Sequence, residues 1–364
     1  MCASKRIVIR GGGIIMKQKQ KFLSALLSCV ILMTSAVSLP AFSSVSAAED
    51  ARIQTFPMSD VTMTDAYSVN AYEKEIAYLL SYDTERLLAG FRENAGLPMN
   101  GVSRYDGWES LLLGGHTAGH FMTAIAQAYV NPLTTDTQKL QLLGMMKKMT
   151  DGLQVCQQNS KGKPGFIWGA PSINGFNVEQ QFDNVESGDS NNWAPWYTMH
   201  KLIAGLIDVY NVTGYEPAKD VASGLGDWAY NRASGWSPEL RDRVLNVEYG
   251  GMNDCLYDLY AVTGRETHAA AAHLFDETRL FERVLAGGEN VLDWQHANTT
   301  IPKFMGALKR YMVLDGRTAG GETADASRYL QYAEAFWDMQ FCLRGLSRKM
   351  LLLLSRGKVW HSLM

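Results

Sequence analysis

Apolar residues recur at helical spacing along most of this chain, and four of the helical stretches end alike. "GHFMTAIAQAYVNP" carries Tyr129, "HKLIAGLIDVYNVTG" Tyr210, "GGMNDCLYDLYAVTG" Tyr260 and "TTIPKFMGALKRYMVLDG" Tyr311. The last three tyrosines stand 50 and 51 residues apart, and their stretches stop at Gly214, Gly264 and Gly316. The first stops at Pro132, and its gap to the next is longer by a loop. Glycine and proline end helices, the one by accepting left-handed backbone, the other by lacking an N–H. Second helices lie between the stretches, at Glu216–Asn231 and His268–Phe275. Two helices repeated at this period make an α-hairpin array. A lone hairpin leaves its apolar face wet, so hairpins stack into a solenoid or close into a ring. Strand signals are almost absent. The expected fold is all-α, a toroid of inner and outer helices. Roughly four hairpins fit in residues 65–340, fewer than a closed six-hairpin ring needs, so the toroid is expected to be incomplete in this chain.

Both ends break this pattern. Lys17, Lys19 and Lys21 precede an apolar run from Phe22 to Leu39, then Pro40 and small residues through Ala47-Ala48. This order reads as a secretory signal peptide over residues 16–48. An uncleaved anchor is the other reading, since the run is nearly long enough to span a bilayer. The small-residue tail favours cleavage, so the protein is expected to be secreted or cell-surface, with no stable membrane insertion afterwards. Residues 1–15 are expected to be an overrun ahead of a start at Met16. After Met339 come scattered basic residues and the bare run Leu351–Leu354. Residues 340–364 are expected to be an out-of-frame tail, the other reading being a short basic helix. The domain itself is placed at residues 57–339.

With 364 residues and 46% hydrophobic content, the chain can form one large domain or two ordinary ones. A net charge of −3 and no basic cluster exclude a nucleic-acid partner. Nine tryptophans and sixteen tyrosines suit a carbohydrate site, though residue by residue core packing is the commoner role of such rings. Past the signal segment only Cys156, Cys255 and Cys342 remain, which makes no disulfide framework. The first two read as small buried hydrophobes.

In a helical toroid the starts of the inner helices surround one mouth. His116, His120, His200, Asn253 and His296 all fall at or beside such starts. Imidazoles there can hydrogen-bond sugar hydroxyls. His116 and His120 also have zinc-ligand spacing, but no glutamate follows His116 and no third ligand is near in sequence. His120 reads as a satisfied core residue, while His200 and His296 are evenly balanced between core and sugar contact. The Gly-, Ser- and Asn-rich stretch between Gln157 and Trp196 has the length of a site-forming loop. Its Phe166, Trp168, Phe182 and Trp193 offer stacking surfaces; a plain surface insertion is the alternative. Glu109, Asp183, Glu248 and Asp254 are candidate carboxylates, but no pair stands out by spacing for glycoside hydrolysis. No G-x-S-x-G elbow supports a serine triad.

Five blocks then acquire a common meaning: "YLLSYDTERLLAGFRENAGLP", "YDGWESLLLGGHTAGHFMTAIAQAY", "WAPWYTMHKLIAGLIDVY", "EYGGMNDCLYDLYAVTG" and "HANTTIPKFMGALKRY". In this order they resemble the catalytic domain of glycoside hydrolase families 127 and 146, which include β-L-arabinofuranosidases. The resemblance implies an (α/α)6 barrel and retaining hydrolysis of L-arabinofuranosides in plant-derived glycans. It further implies a cysteine nucleophile, zinc held by cysteines and a glutamate, and a glutamate acid/base, all in helices later than Met339. On that basis this chain is expected to hold no catalytic residue, to bind no zinc itself and to be inactive alone. The resemblance gives His200 and His296 contact with arabinose, and His116 and Glu109 after them. Trp108, Tyr197, Trp193 and Asn253 complete the expected substrate-binding set. The expected partner is an arabinose-containing oligosaccharide or glycan, and a non-catalytic carbohydrate-binding toroid is the alternative.

Overall fold

A computed structural model describes residues 56–172, 177–185, 194–288, 291–319 and 322–342. Among them are twelve α-helices, so the all-α expectation holds. Helices α1 (Ala66–Leu80) and α2 (Thr84–Ala95) come first. The hairpins follow as α3 (His116–Val130) with α4 (Asp136–Gln158), and α5 (Pro195–Thr213) with α6 (Glu216–Ala233). After the short α7 (Pro238–Leu245) come α8 (Met252–Thr263) with α9 (Glu266–Leu274). Another short helix, α10 (Thr278–Ala286), precedes α11 (Ala297–Leu314) and α12 (Ser327–Cys342). The near-absence of strand signals needs one small correction. A two-residue antiparallel ladder, β1 (Thr318–Ala319) with β2 (Glu322–Thr323), joins α11 to α12.

The repeated ending is a local device. In α5 the Tyr210 carbonyl accepts the N–H of Gly214 at 2.7 Å, and Gly214 sits at φ 64. In α8 Tyr260 and Gly264 do the same at 2.7 Å and φ 67. Thr213 and Thr263 turn their hydroxyls back onto the carbonyls of Val209 and Leu259. A left-handed glycine here satisfies an otherwise orphaned carbonyl and reverses the chain within a few residues. Each inner helix is thereby folded straight onto its outer partner.

Neighbouring inner helices pack in sequence, α3 on α5, α5 on α8 and α8 on α11, while α4, α6, α9 and α12 lie outside them. Inner helices are apolar on most faces: α5 buries Trp196, Met199, Leu202, Ile203, Leu206, Ile207 and Val209. The α3–α5 crossing is closest where Gly119 meets the backbone of Lys201 and Leu202, and Gly205 meets the carbonyl of Gly119. Absence of a side chain lets the two backbones touch.

The long segment after α4 differs from expectation. Phe166, Trp168 and Phe182 are buried rather than presented for stacking. Phe182 sits with its ring centroid 4.7–5.7 Å from those of Trp168, Trp228, Trp196 and Phe166. Trp196 donates its indole N–H to the Phe182 carbonyl at 2.9 Å. The described part of this segment is a wedge of core, because five large rings bury far more area together than exposed singly. Trp193 lies outside the described residues.

Candidate functional site

The mouth is built from the segments that open α3, α5, α8 and α11. Before α3, Glu109 is buried and takes the N–H groups of Gly115 and Thr117, each at 2.8 Å. His116 places Nδ1 2.8 Å from Glu109 Oε1 and 2.8 Å from the Leu113 carbonyl. Two oxygen acceptors mean that Nδ1 carries the proton, which leaves Nε2 as an acceptor when the ring is neutral. Burial alone would raise the Glu109 carboxyl, but the bonds from His116, Gly115 and Thr117 outweigh it, and its pKa falls.

His200 has the opposite tautomer. Its Nδ1 accepts the N–H of Gly251 at 3.0 Å, so Nε2 carries the proton. Burial, then Lys201 and His120, push its pKa well below the ordinary range, so it stays neutral. Gly250 and Gly251 make this bond available: a Cβ on Gly250 would lie 3.0 Å from Nδ1, and one on Gly251 3.0 Å from Cε1. Tyr197 is nearly buried, packs with Leu113 and Ala194, and carries the Lys201 ammonium 4.8 Å over its ring. His296, at the start of α11, is 57% exposed and bonds Glu248 Oε1 through Nδ1 at 2.6 Å. Trp108, beside Glu109, is 56% exposed.

His116 is the first residue of α3 and His296 caps α11, while Tyr197 lies in the first turn of α5, His200 in its second, and Glu109 in a short turn ahead of α3. Two residues differ. His120, read as a core residue, is exposed, its ring 6.0 Å from that of His116. The helical turn that buries its neighbours Gly119 and Phe121 leaves His120 on the same face as His116, one turn further on. Partial shielding of its ring from solvent, then the Lys201 charge, still lower its pKa to about 4. Asn253, expected at the mouth, is fully buried. Its amide N–H groups go to Asp276 Oδ1 and the Lys303 carbonyl, both at 3.0 Å, and Gly306 packs on it. Its geometry ties α8 to α11. Asp183 is likewise occupied, with Arg232 and the Trp236 indole.

Sequence reading missed a second tier of polar groups. One position on three inner helices, two residues before the marker tyrosine, holds Asp208, Asp258 and Lys309. Lys309 bonds Asp258 at 2.6 Å, and Thr123 of α3 donates to Asp208 at 2.7 Å. Asp254 stands one turn before Asp258. Burial and the neighbouring Asp258 raise Asp254 to about 7, and burial raises Asp208 to about 6. The repeat register was the signal that could have found them. Since the folded state holds these protons more tightly than the unfolded chain, stability falls as pH rises from about 4 to about 7. Glu109 acts the other way, its stabilisation being lost as pH falls through its lowered pKa. Asp254→Asn is expected to raise the melting temperature at pH 8 and flatten its decline between about pH 4 and 7. An unchanged slope in a pH series of thermal melts would count against the buried-carboxyl account.

A zinc centre does not fit the described residues. Cys156 and Cys255 are buried on α4 and α8, and burial pushes the Cys156 thiol up to about 11 and Cys255 well above its ordinary value. Metal ligation needs thiolates brought together. No group of three or more His, Cys, Asp or Glu among the described residues could hold a metal.

A search of curated proteins finds no match. The family profile described as "Beta-L-arabinofuranosidase, GH127 catalytic domain" matches residues 60–340. That span holds every described inner helix and every residue of the mouth, so the chain belongs to the GH127 β-L-arabinofuranosidase family of glycoside hydrolases.

Proposed function

We propose that this chain is an exported glycoside hydrolase of β-L-arabinofuranosidase type whose described residues recognise an L-arabinofuranosyl unit of a plant-derived glycan. The observation that carries the reading is the pairing of tautomers at the mouth. His200 offers a neutral N–H donor and His116 a ring acceptor, each fixed by its own hydrogen bond. A sugar hydroxyl both donates and accepts, and a neutral donor such as His200 recognises it without having to hold a desolvated charge. The Glu248–His296 pair, Tyr197 and Trp108 extend that surface. The roles of His200, His296, His116, Glu109, Tyr197 and Trp108 are binding and positioning.

Turnover is a separate matter. The family resemblance implies a zinc-bound cysteine nucleophile, yet Cys156 and Cys255 are inaccessible and protonated. We hold that the described residues bind the sugar without hydrolysing it, since neither described thiol is placed or ionised to act as nucleophile or zinc ligand. The same two thiols favour a non-catalytic carbohydrate-binding toroid as the second reading. Export rests on the segment at residues 16–48, and among the described residues no helix is long and apolar enough to cross a membrane.

Calorimetry with an L-arabinofuranosyl trisaccharide tests this directly. Binding is expected, with about tenfold or greater weakening in His200→Ala, the loss of one well-placed buried hydrogen bond. No release of aryl alcohol from an aryl β-L-arabinofuranoside is expected. Robust turnover abolished by His200→Ala would overturn the division between binding and catalysis, and absence of any saccharide binding would overturn the function.

A further inference from the structure

Trp294 carries an indole that the fold does not use. Its side chain is 101% exposed, the highest value among the exposed large hydrophobics. Its backbone is left-handed at φ 66, a conformation shared among described non-glycine residues with Asn100 alone. Asparagine tolerates that region; a bulky aromatic does so at a cost in stability, and glycine would do so freely. Folding therefore gives no reason for tryptophan here. An observed backbone outlier with no packing return is grounds for asking what function it serves.

Its position supplies the answer. The turn that bears Trp294 is closed by the Gln295 N–H on the Leu292 carbonyl at 3.1 Å. Two residues later His296 opens α11 and bonds Glu248, so the indole is held at the end of the inner helices where the mouth lies. A pyranose or furanose ring has an apolar C–H face, and an indole offers a flat, electron-rich face of similar size. Stacking on it removes apolar area from water while the hydroxyls stay solvated.

We propose that Trp294 is the stacking platform for the sugar next to the arabinofuranosyl unit, making this a site for oligosaccharides rather than for a single sugar. The proposal rests on the function proposed above and names its substrate class. The left-handed turn holds the platform clear of the protein, so that the second ring lies on the indole while the first meets His200 and His116.

Calorimetry on the 364-residue protein with two probes, methyl β-L-arabinofuranoside and an L-arabinofuranosyl trisaccharide, tests it. Trp294→Ala is expected to weaken the trisaccharide about tenfold and leave the methyl glycoside unchanged. Trp294→Tyr should keep most of the affinity, and the change in indole emission on adding trisaccharide should shrink in Trp294→Ala, leaving the part due to Trp108. Trp294→Gly should melt at or above the parent temperature, since it relieves the backbone without removing a contact. Unchanged trisaccharide affinity in Trp294→Ala overturns the proposal, as does an equal loss for both probes. His200→Ala should weaken both probes, so failure of the platform and failure of the site give different patterns. If neither probe binds the parent, both readings fall.

Discussion

Gly119→Ala is expected to destabilise the domain by about 3 kcal/mol or more, although it adds a single methyl group to a helix. A Cβ at Gly119 would collide with the Lys201 carbonyl and stand 2.6 Å from the Leu202 nitrogen. Those atoms are the backbone of α5, which has no rotamer to change, so the two helices must separate. Their separation would loosen Phe121, Met122, Leu202 and Leu206, which are buried around the crossing. Gly205→Ala meets the same obstacle from the other side, at 2.5 Å from the Gly119 carbonyl. Once the helices have parted, a second methyl costs less, so the double variant should lose less than the sum of the singles. Gly144→Ala is the control: it lies within α4, is exposed, and has nothing within 4 Å of the added carbon. There the gain in helix propensity should stabilise by about 0.5–1 kcal/mol. Urea unfolding of the four variants checks this, and a Gly119→Ala midpoint equal to the parent's would sink the account of the crossing.

How far such features show in a sequence depends on how local their cause is. The Tyr210–Gly214 and Tyr260–Gly264 endings are local, each made within one helical turn, and so the repeat and the hairpins it makes were legible. So were the helix starts at His116 and His296, whereas the helix that carries His200 begins earlier, at Pro195. What an inner helix does with each of its faces was not. Such a helix packs against an outer partner, against inner neighbours on both sides, and towards the concave surface, so apolar periodicity no longer marks a single buried stripe. His120 and Asn253 changed places for this reason, one exposed beside His116 and the other locked between α8 and α11. Phe166, Trp168 and Phe182 went to the core because rings distant in sequence, Trp196 and Trp228, wait there for them. Asp208, Asp258 and Lys309 were within reach, since the repeat aligns them; a search for paired carboxylates along the chain passes over groups paired across helices.

Asp276→Ala is expected to cost about 3–5 kcal/mol and to take saccharide binding with it, through a network that no sequence spacing announces. The Asp276 carboxylate is buried between α9 and α10 and receives three donors. These are Asn253 of α8 at 3.0 Å, the Tyr257 hydroxyl of α8 at 2.6 Å and Arg310 of α11 at 2.6 Å. Removing it leaves the guanidinium short of its counter-charge and two further donors without acceptors, and an uncompensated buried group costs more than its bond was worth. Burial nonetheless keeps the Asp276 pKa above its ordinary value despite Arg310, Tyr257 and Asn253. The attraction therefore falls short of the desolvation cost, and the pair's value lies in joining α8 to α11 rather than in net stability. It follows that the double variant Asp276→Leu with Arg310→Leu should recover much of the stability lost by either alone. It should not recover binding, because Gly251, whose N–H fixes His200, stands at the start of α8 and is positioned against Pro302 of α11. Chemical denaturation of the two single variants and the double variant measures the first expectation, and calorimetry with the trisaccharide the second. Additive losses in stability would show that the two charges are independent. Full binding by the double variant would show that the mouth does not depend on the α8–α11 join.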